Sequence, residues 1–145
     1  MYRFKLEALL NHRRHQEEIH QKNLAEANKK LLYEQKKLRT KKKEQRRYVQ
    51  KVQEKQKKGA TVRDIVLYMN YLAKLTIVIA EQRHRVDTAG KQVEQMRVEL
   101  LATVKKRKIL ERLKEREWLL YQQKIRNDER KLMDEIGSAR HARKT

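Results

Sequence analysis

His12 and His15 stand three residues apart with Glu18 close behind, a spacing that sets two imidazoles on one face of a helix with a carboxylate nearby, as a metal site needs. A fourth ligand of defined geometry is missing, and histidines in such a setting are ordinarily solvated surface groups, so no metal and no other cofactor is expected. Other chemistries fail on residue types. The chain has no cysteine, hence no disulfide framework and no thiolate metal site, in keeping with a reducing compartment. Neither a glycine-rich phosphate loop nor a Ser-His-Asp arrangement is present, and no catalytic residue is assigned. The expectation is a protein that is not an enzyme.

The charge asks for a partner. The chain carries 39 basic and 19 acidic residues, a net of +20. Residues 1–58 hold 19 basic and 7 acidic residues, a net of +12, and the run Lys41 to Lys58 is the densest part. Such a surface can attract nucleic acid, an anionic membrane or an acidic protein. Lys36, Lys37, Arg39, Lys41, Lys42, Lys43, Arg46 and Arg47 could neutralise phosphates, which makes a basic nucleic-acid-binding coiled coil the rival reading. These residues go around a helix instead of along one stripe, and no base-reading module accompanies them, so specific nucleic-acid binding is not expected.

The elements that must carry these residues are helical. There is no proline, there are three glycines, and Lys, Arg, Glu, Gln and Leu dominate, all good helix formers. Forty per cent of the residues are charged and 38% apolar, too lean for a thick core but enough for a seam between helices. No apolar run is long enough to span a membrane, no signal peptide is visible, and a cytoplasmic protein is expected.

Leu24, Leu31 and Leu38 repeat every seven residues, with Leu6 and Leu10 upstream, Ala27 between, and Gln45, Tyr48 and Val52 downstream. They mark one face of a first helix, diluted by Arg13, Glu17, Glu34 and Lys41. Gly59-Ala60-Thr61 then supplies turn chemistry: Gly59 can close a helix in the left-handed conformation and Thr61 can cap the next, with Asp64 three residues on. After it, Tyr68, Leu72, Leu75, Ile79, Val86, Ala89, Val93, Met96 and Leu100 alternate steps of three and four, Gln82 being the polar intrusion. Beyond residue 104 the stripe drifts through Leu110 and Leu113 to Trp118, Tyr121, Ile125, Leu132 and Ile136, as at a stutter.

The expected fold is all-α: a single antiparallel two-helix coiled-coil hairpin over 1–145, with helices over about 3–57 and 62–140 and a turn at 58–61. Folding back at Gly59 brings residue 4 to about 114, so a first helix of about 85 Å is overhung by a second of about 115 Å. The overhang presents Trp118, Tyr121, Ile125, Leu132 and Ile136 without an intrachain partner, a surface that calls for another molecule. Near the turn the second helix is apolar beyond what a seam requires. With Tyr68, Leu72, Leu75 and Ile79 facing the first helix, Leu67, Tyr71 and Val78 fall on an adjoining stripe, and with Tyr48 from the opposite helix they form a candidate docking patch.

Four stretches carry a family resemblance: RFKLEALLNHRRHQEE at the start, the central G-x-T followed by Ile65, Tyr68, Tyr71-Leu72 and Leu75, then RKILERLKER, and finally ERKLMDEIGSARHAR. In order, spacing and length the chain resembles the FliJ family of flagellar export proteins. The resemblance implies an ATPase-associated stalk of the bacterial flagellar type III export apparatus, serving motility and chemotaxis. It would be monomeric and cytoplasmic, peripheral at the cytoplasmic face of the inner membrane through its partners. The implied partners are the hexameric export ATPase, the cytoplasmic domain of the membrane export gate, and export chaperones. By position, the ATPase-binding end would comprise Phe4, Leu6, Leu10, Arg13 and Glu17 with Glu129, Leu132, Asp134 and Glu135, joined by the overhang residues Trp118, Tyr121 and Ile125. The gate-facing surface would comprise Tyr48, Tyr71, Leu75 and Val78, next to Leu67. Stalk proteins of injectisomes share the architecture and are the alternative within this resemblance.

Overall fold

The computed structural model describes residues 2–144. Two helices are present, α1 (Glu7–Lys58) and α2 (Val62–Lys144), and there is no strand among the described residues. They are packed against each other as an all-α helical hairpin.

The helix ends follow from side chains that can be named. α1 starts at Glu7, later than the position near residue 3 that helix propensity suggests. Tyr2 and Phe4 both turn toward α2, and residues two apart share a side only when the chain is extended. The chain then turns, the Glu7 amide donating to the Phe4 carbonyl at 3.2 Å. α1 ends at Gly59, whose φ of 89° lies in the left-handed region that costs other residues about 1–2 kcal/mol. Lys55, Lys57 and Lys58 occupy its last turn, complementing the negative end of the helix dipole. Thr61 caps α2, its hydroxyl accepting from the Asp64 amide at 3.2 Å and its carbonyl from the Ile65 amide at 3.1 Å.

The chain divides into two compact units, one of Ile19–Leu100, the other of the residues up to Glu18 together with those from Leu101 onward. In the Ile19–Leu100 unit the seam is built from Ala27, Val52, Leu75, Ile79, Ala89 and Val93, all buried. Leu24, Leu31, Leu38, Tyr48, Tyr68, Leu72, Val86, Met96 and Leu100 are half-buried beside them. Pairing is antiparallel, from Lys55 with Tyr68 through Gln45 with Thr76 and Glu34 with Gln82 to His20 with Glu99. Gln82 and Glu34, polar intrusions in their respective stripes, are buried against each other. Where the small residues Ala27 and Ala89 meet, an open groove of about 750 Å³ runs beside the seam, walled by Glu26, Lys30, Arg85 and Gln92 among others.

The second unit has a different character. Its apolar core is a cluster of Phe4, Leu10 and Leu110, with Tyr2 packed against it. Buried Thr103 and half-buried Arg107 and Lys114 fill the intervening seam positions, and Leu113, which the drifting stripe would have placed in the seam, is 36% exposed. Leu6 is likewise outside the seam at 38% exposed, because it sits in the turn just ahead of α1. Polar seam positions are held by pairs: the Lys114 ammonium meets the Glu7 carboxylate at 2.8 Å, and Arg107 bridges Glu17 and Glu111.

Candidate docking surfaces

In the Ile19–Leu100 unit, the capped start of α2 and the last turns of α1 bring three tyrosines together. The Tyr48 ring lies 4.3 Å from that of Tyr71 and 6.0 Å from that of Tyr68, distances typical of tilted and edge-on aromatic pairs. Each outer tyrosine is tied to the opposite helix. Tyr71 donates its hydroxyl to Glu44 Oε1 at 3.2 Å, and the Lys55 ammonium donates to the Tyr68 hydroxyl at 2.6 Å while sitting 5.0 Å above its ring centre. These bonds displace both titrations. The hydrogen bond to Glu44, then burial, raises the Tyr71 phenol above its ordinary value, and the bond to Tyr68 raises Lys55. An open groove of about 500 Å³ is lined by Tyr48 and Tyr71 and edged by Lys43, Arg47 and Lys51.

Of the patch read from the sequence, Tyr48 and Tyr71 are thus in contact. Tyr71 is 38% and Leu67 59% exposed, and Val78 is half-buried on the same side. Leu75 is placed differently: it is buried in the seam and supports the patch from below.

In the other unit, Phe4 and Leu10 are core residues, with Leu10 fully enclosed. Arg13 donates to the Gln16 side-chain oxygen at 3.0 Å. Glu17 accepts from the Arg107 Nε, and the guanidinium also donates to Glu111 Oε2 at 2.8 Å. Bonds to Glu111 and then Glu17 raise Arg107 further above its ordinary value, so the cation is permanent. Phe4, Leu10 and Glu17 thus build the unit, whereas Arg13 is half-buried and keeps part of its surface.

The expectation that Trp118 and Tyr121 lack an intrachain partner is corrected. Tyr2 packs edge-on against Trp118, ring centres 5.2 Å apart, and lies 5.3 Å from Tyr121. Its hydroxyl donates to the Lys114 carbonyl at 3.3 Å, and burial, followed by the Glu117 carboxylate, raises its titration. Tyr2 belongs to no heptad stripe, which is why the sequence reading passes over it. The signal available was an aromatic residue two places before Phe4, both ahead of the first helical turn.

Beyond this clasp the overhang is bare. Every residue of α2 from Gln123 to Lys144 is exposed. Ile125, Leu132 and Ile136 recur at helical spacing on one face, 39%, 58% and 42% exposed, with Glu129 on the same face and Glu135 beside it, whereas Asp134 falls on the opposite face. His12 and His15 are also exposed, His15 lying 4.0 Å from Glu18. No group of three or more His, Cys, Asp or Glu able to hold a metal occurs among the described residues. None of their helices is long and apolar enough to cross a membrane.

The chain is thus a helical hairpin with a thin seam, an aromatic patch in one unit and a bare helical segment in the other. The family model for the flagellar FliJ protein matches residues 2–145, and the chain belongs to that family; it is a protein of type III export. Among solved structures it is similar to a protein from Chlamydia trachomatis described as a YscO homolog, at 26% identity and a TM-score of 0.56, over 97% of this chain and 96% of that one. No match was found among curated proteins.

Proposed function

We propose that this chain is a non-enzymatic coupling protein of flagellar export, cytoplasmic and held at the inner membrane by its partners. The bare segment of α2 beyond Tyr121 docks on the export ATPase hexamer, with Ile125, Leu132 and Ile136 entering an apolar site and Glu129 and Glu135 reading charge around it. Leu6 and Arg13, which retain surface, border that contact, and Trp118 and Tyr121 form its inner edge. The side carrying Tyr48, Leu67, Tyr71 and Val78 docks on the cytoplasmic domain of the export gate. Export chaperones share these exposed faces, and loss of the protein abolishes flagellar motility and with it chemotaxis. The chain works as a monomer.

The observation that carries this reading is the solvent-facing stripe on α2 from Gln123 onward. It costs apolar exposure and contributes nothing to the unit's own packing, as expected of a binding element. Adding the purified chain to the purified export ATPase should increase ATP hydrolysis, and unchanged hydrolysis with no complex on gel filtration would refute the assignment. The similarity to the YscO homolog favours a second reading, service in an injectisome. Restored swimming in a strain lacking its own FliJ-family protein supports the flagellar system; restored injectisome secretion without swimming supports the other.

A further inference from the structure

The cations of α1 go around the helix in sequence, but the hairpin sorts them. Lys43, Arg47 and Lys51 line the same open groove as the rings of Tyr48 and Tyr71, so positive charge from one helix meets aromatic surface from both. The row extends beyond the groove. Tyr33, Lys36, Thr40, Lys43, Arg47 and Lys51 follow one another by three or four residues, which sets them on one face of α1 over about 27 Å. All six are exposed, and the Lys37 ammonium lies 4.8 Å from the Tyr33 ring centre.

Little negative charge offsets this face. Residues 33–55 hold 10 basic and 3 acidic residues. Of the acids, Glu34 is buried in the seam, and Glu44, the one carboxylate in the groove, accepts from the Tyr71 hydroxyl at 3.2 Å. The Thr40 hydroxyl donates to the Lys36 carbonyl at 3.0 Å, which leaves its oxygen able to accept a hydrogen bond. No aliphatic side chain lines the groove, so it offers no apolar socket for a protein anchor.

We propose that this face binds single-stranded RNA without sequence preference, Lys36, Lys43, Arg47 and Lys51 following the phosphates while unpaired bases stack on Tyr71 and Tyr33. A cationic track beside aromatic rings is the pair of features that sequence-tolerant single-strand binding uses. The hairpin carries no element that reads base edges, in keeping with that tolerance. Thr40 and Glu44 are the acceptors in the groove, and a 2′-hydroxyl, which DNA lacks, is the donor that suits them. The face overlaps the side assigned above to the export gate, but the contact needs neither the gate nor the export assignment.

Fluorescence anisotropy of the full chain with a labelled oligouridine of about 12 nucleotides tests it. The oligomer binds at physiological salt, and an oligodeoxyuridine of the same length binds about threefold or more weaker. Lys43→Gln with Arg47→Gln weakens binding about tenfold and lowers the log–log salt slope by about 1.4. Lys105→Gln with Lys106→Gln, equal in charge and exposed in the other unit, leaves both unchanged. Tyr71→Phe and Tyr71→Leu each release Glu44 and keep the helical circular dichroism, but only the leucine variant lacks the ring, and it binds about fivefold weaker than the phenylalanine one. Equal binding by these two, or equal losses in the two double variants, would reduce the effect to polyelectrolyte attraction and overturn the proposal. Absence of binding at physiological salt would overturn it too, as would displacement by polyglutamate as ready as by unlabelled RNA, which would point the face toward an acidic protein. Equal affinity for the deoxy oligomer would overturn the assignment to RNA.

Discussion

Gln82 and Glu34 meet inside the seam of the Ile19–Leu100 unit. The Gln82 amide donates to the Glu34 main-chain carbonyl at 3.0 Å and also to the Glu34 carboxylate, and both residues are buried, at 1% and 8% exposure. A buried polar pair of this kind pins the register of two helices that aliphatic residues alone would let slide.

Glu34→Leu should therefore cost about 1–3 kcal/mol, because it leaves the Gln82 amide short of an acceptor in an apolar layer. Glu34→Leu combined with Gln82→Leu should recover most of that loss, since replacing both partners removes the desolvation cost. Thermal melts of the two singles and the double give the coupling, and strictly additive losses would mean the pair does not act together.

The glycines act in opposite directions. At Gly59 a Cβ meets nothing within 4 Å, but φ is +89°, so Gly59→Ala should lower stability by about 1–2 kcal/mol through backbone strain alone. At Gly90 a Cβ also meets nothing within 4 Å and the residue is inside α2. There Gly90→Ala should raise stability by about 0.5–1 kcal/mol. Denaturant titration of both variants checks the two signs.

Much of the hairpin was legible in the sequence for this reason. With glycine so scarce, Gly59-Ala60-Thr61 stood out as the place where a helix ends and another is capped, and the heptad leucines named the faces that meet. Individual seam positions in the second unit were less readable. Arg107 and Lys114 occupy them through ion pairs with residues about 90 or more positions away, and no local pattern reports such a partner. Tyr2 escaped because it makes its contacts from extended chain, outside any helical period. Phe4, Leu10 and Leu75 could be assigned to a surface from sequence because residue type alone does not say whether an apolar side chain faces in or out.

The aromatic clasp is open to direct measurement, because Trp118 is the single tryptophan. Tyr2→Ala removes both ring contacts, each worth about 0.5–1.5 kcal/mol beyond its area. Trp118 emission should shift to longer wavelength and become more accessible to a soluble quencher. An unchanged spectrum would show that Tyr2 does not cover the indole in solution.

The tyrosine patch should loosen only in strong alkali. The folded-state titrations of Tyr71 and Lys55 both lie above their ordinary values of 10.0 and 10.5, so their protonated forms are the ones the fold favours. Their stabilising contribution is fully present below those ordinary values and is lost as pH rises through the raised ones. Ultraviolet titration of tyrosinate should show two late-ionising groups, Tyr71 and Tyr2, and Glu44→Gln should bring only the Tyr71 phenol back toward the ordinary range. No change in the Glu44→Gln profile would contradict the assigned cause.

The role of the bare end of α2 rests on removing it without disturbing the packed part of its unit. Deleting residues 123–145 spares Tyr2, Trp118 and Tyr121, so the melting of the hairpin should be nearly unchanged. The export ATPase should then neither bind the shortened chain nor hydrolyse ATP faster in its presence. Full stimulation by the shortened chain would contradict the proposed docking of this segment.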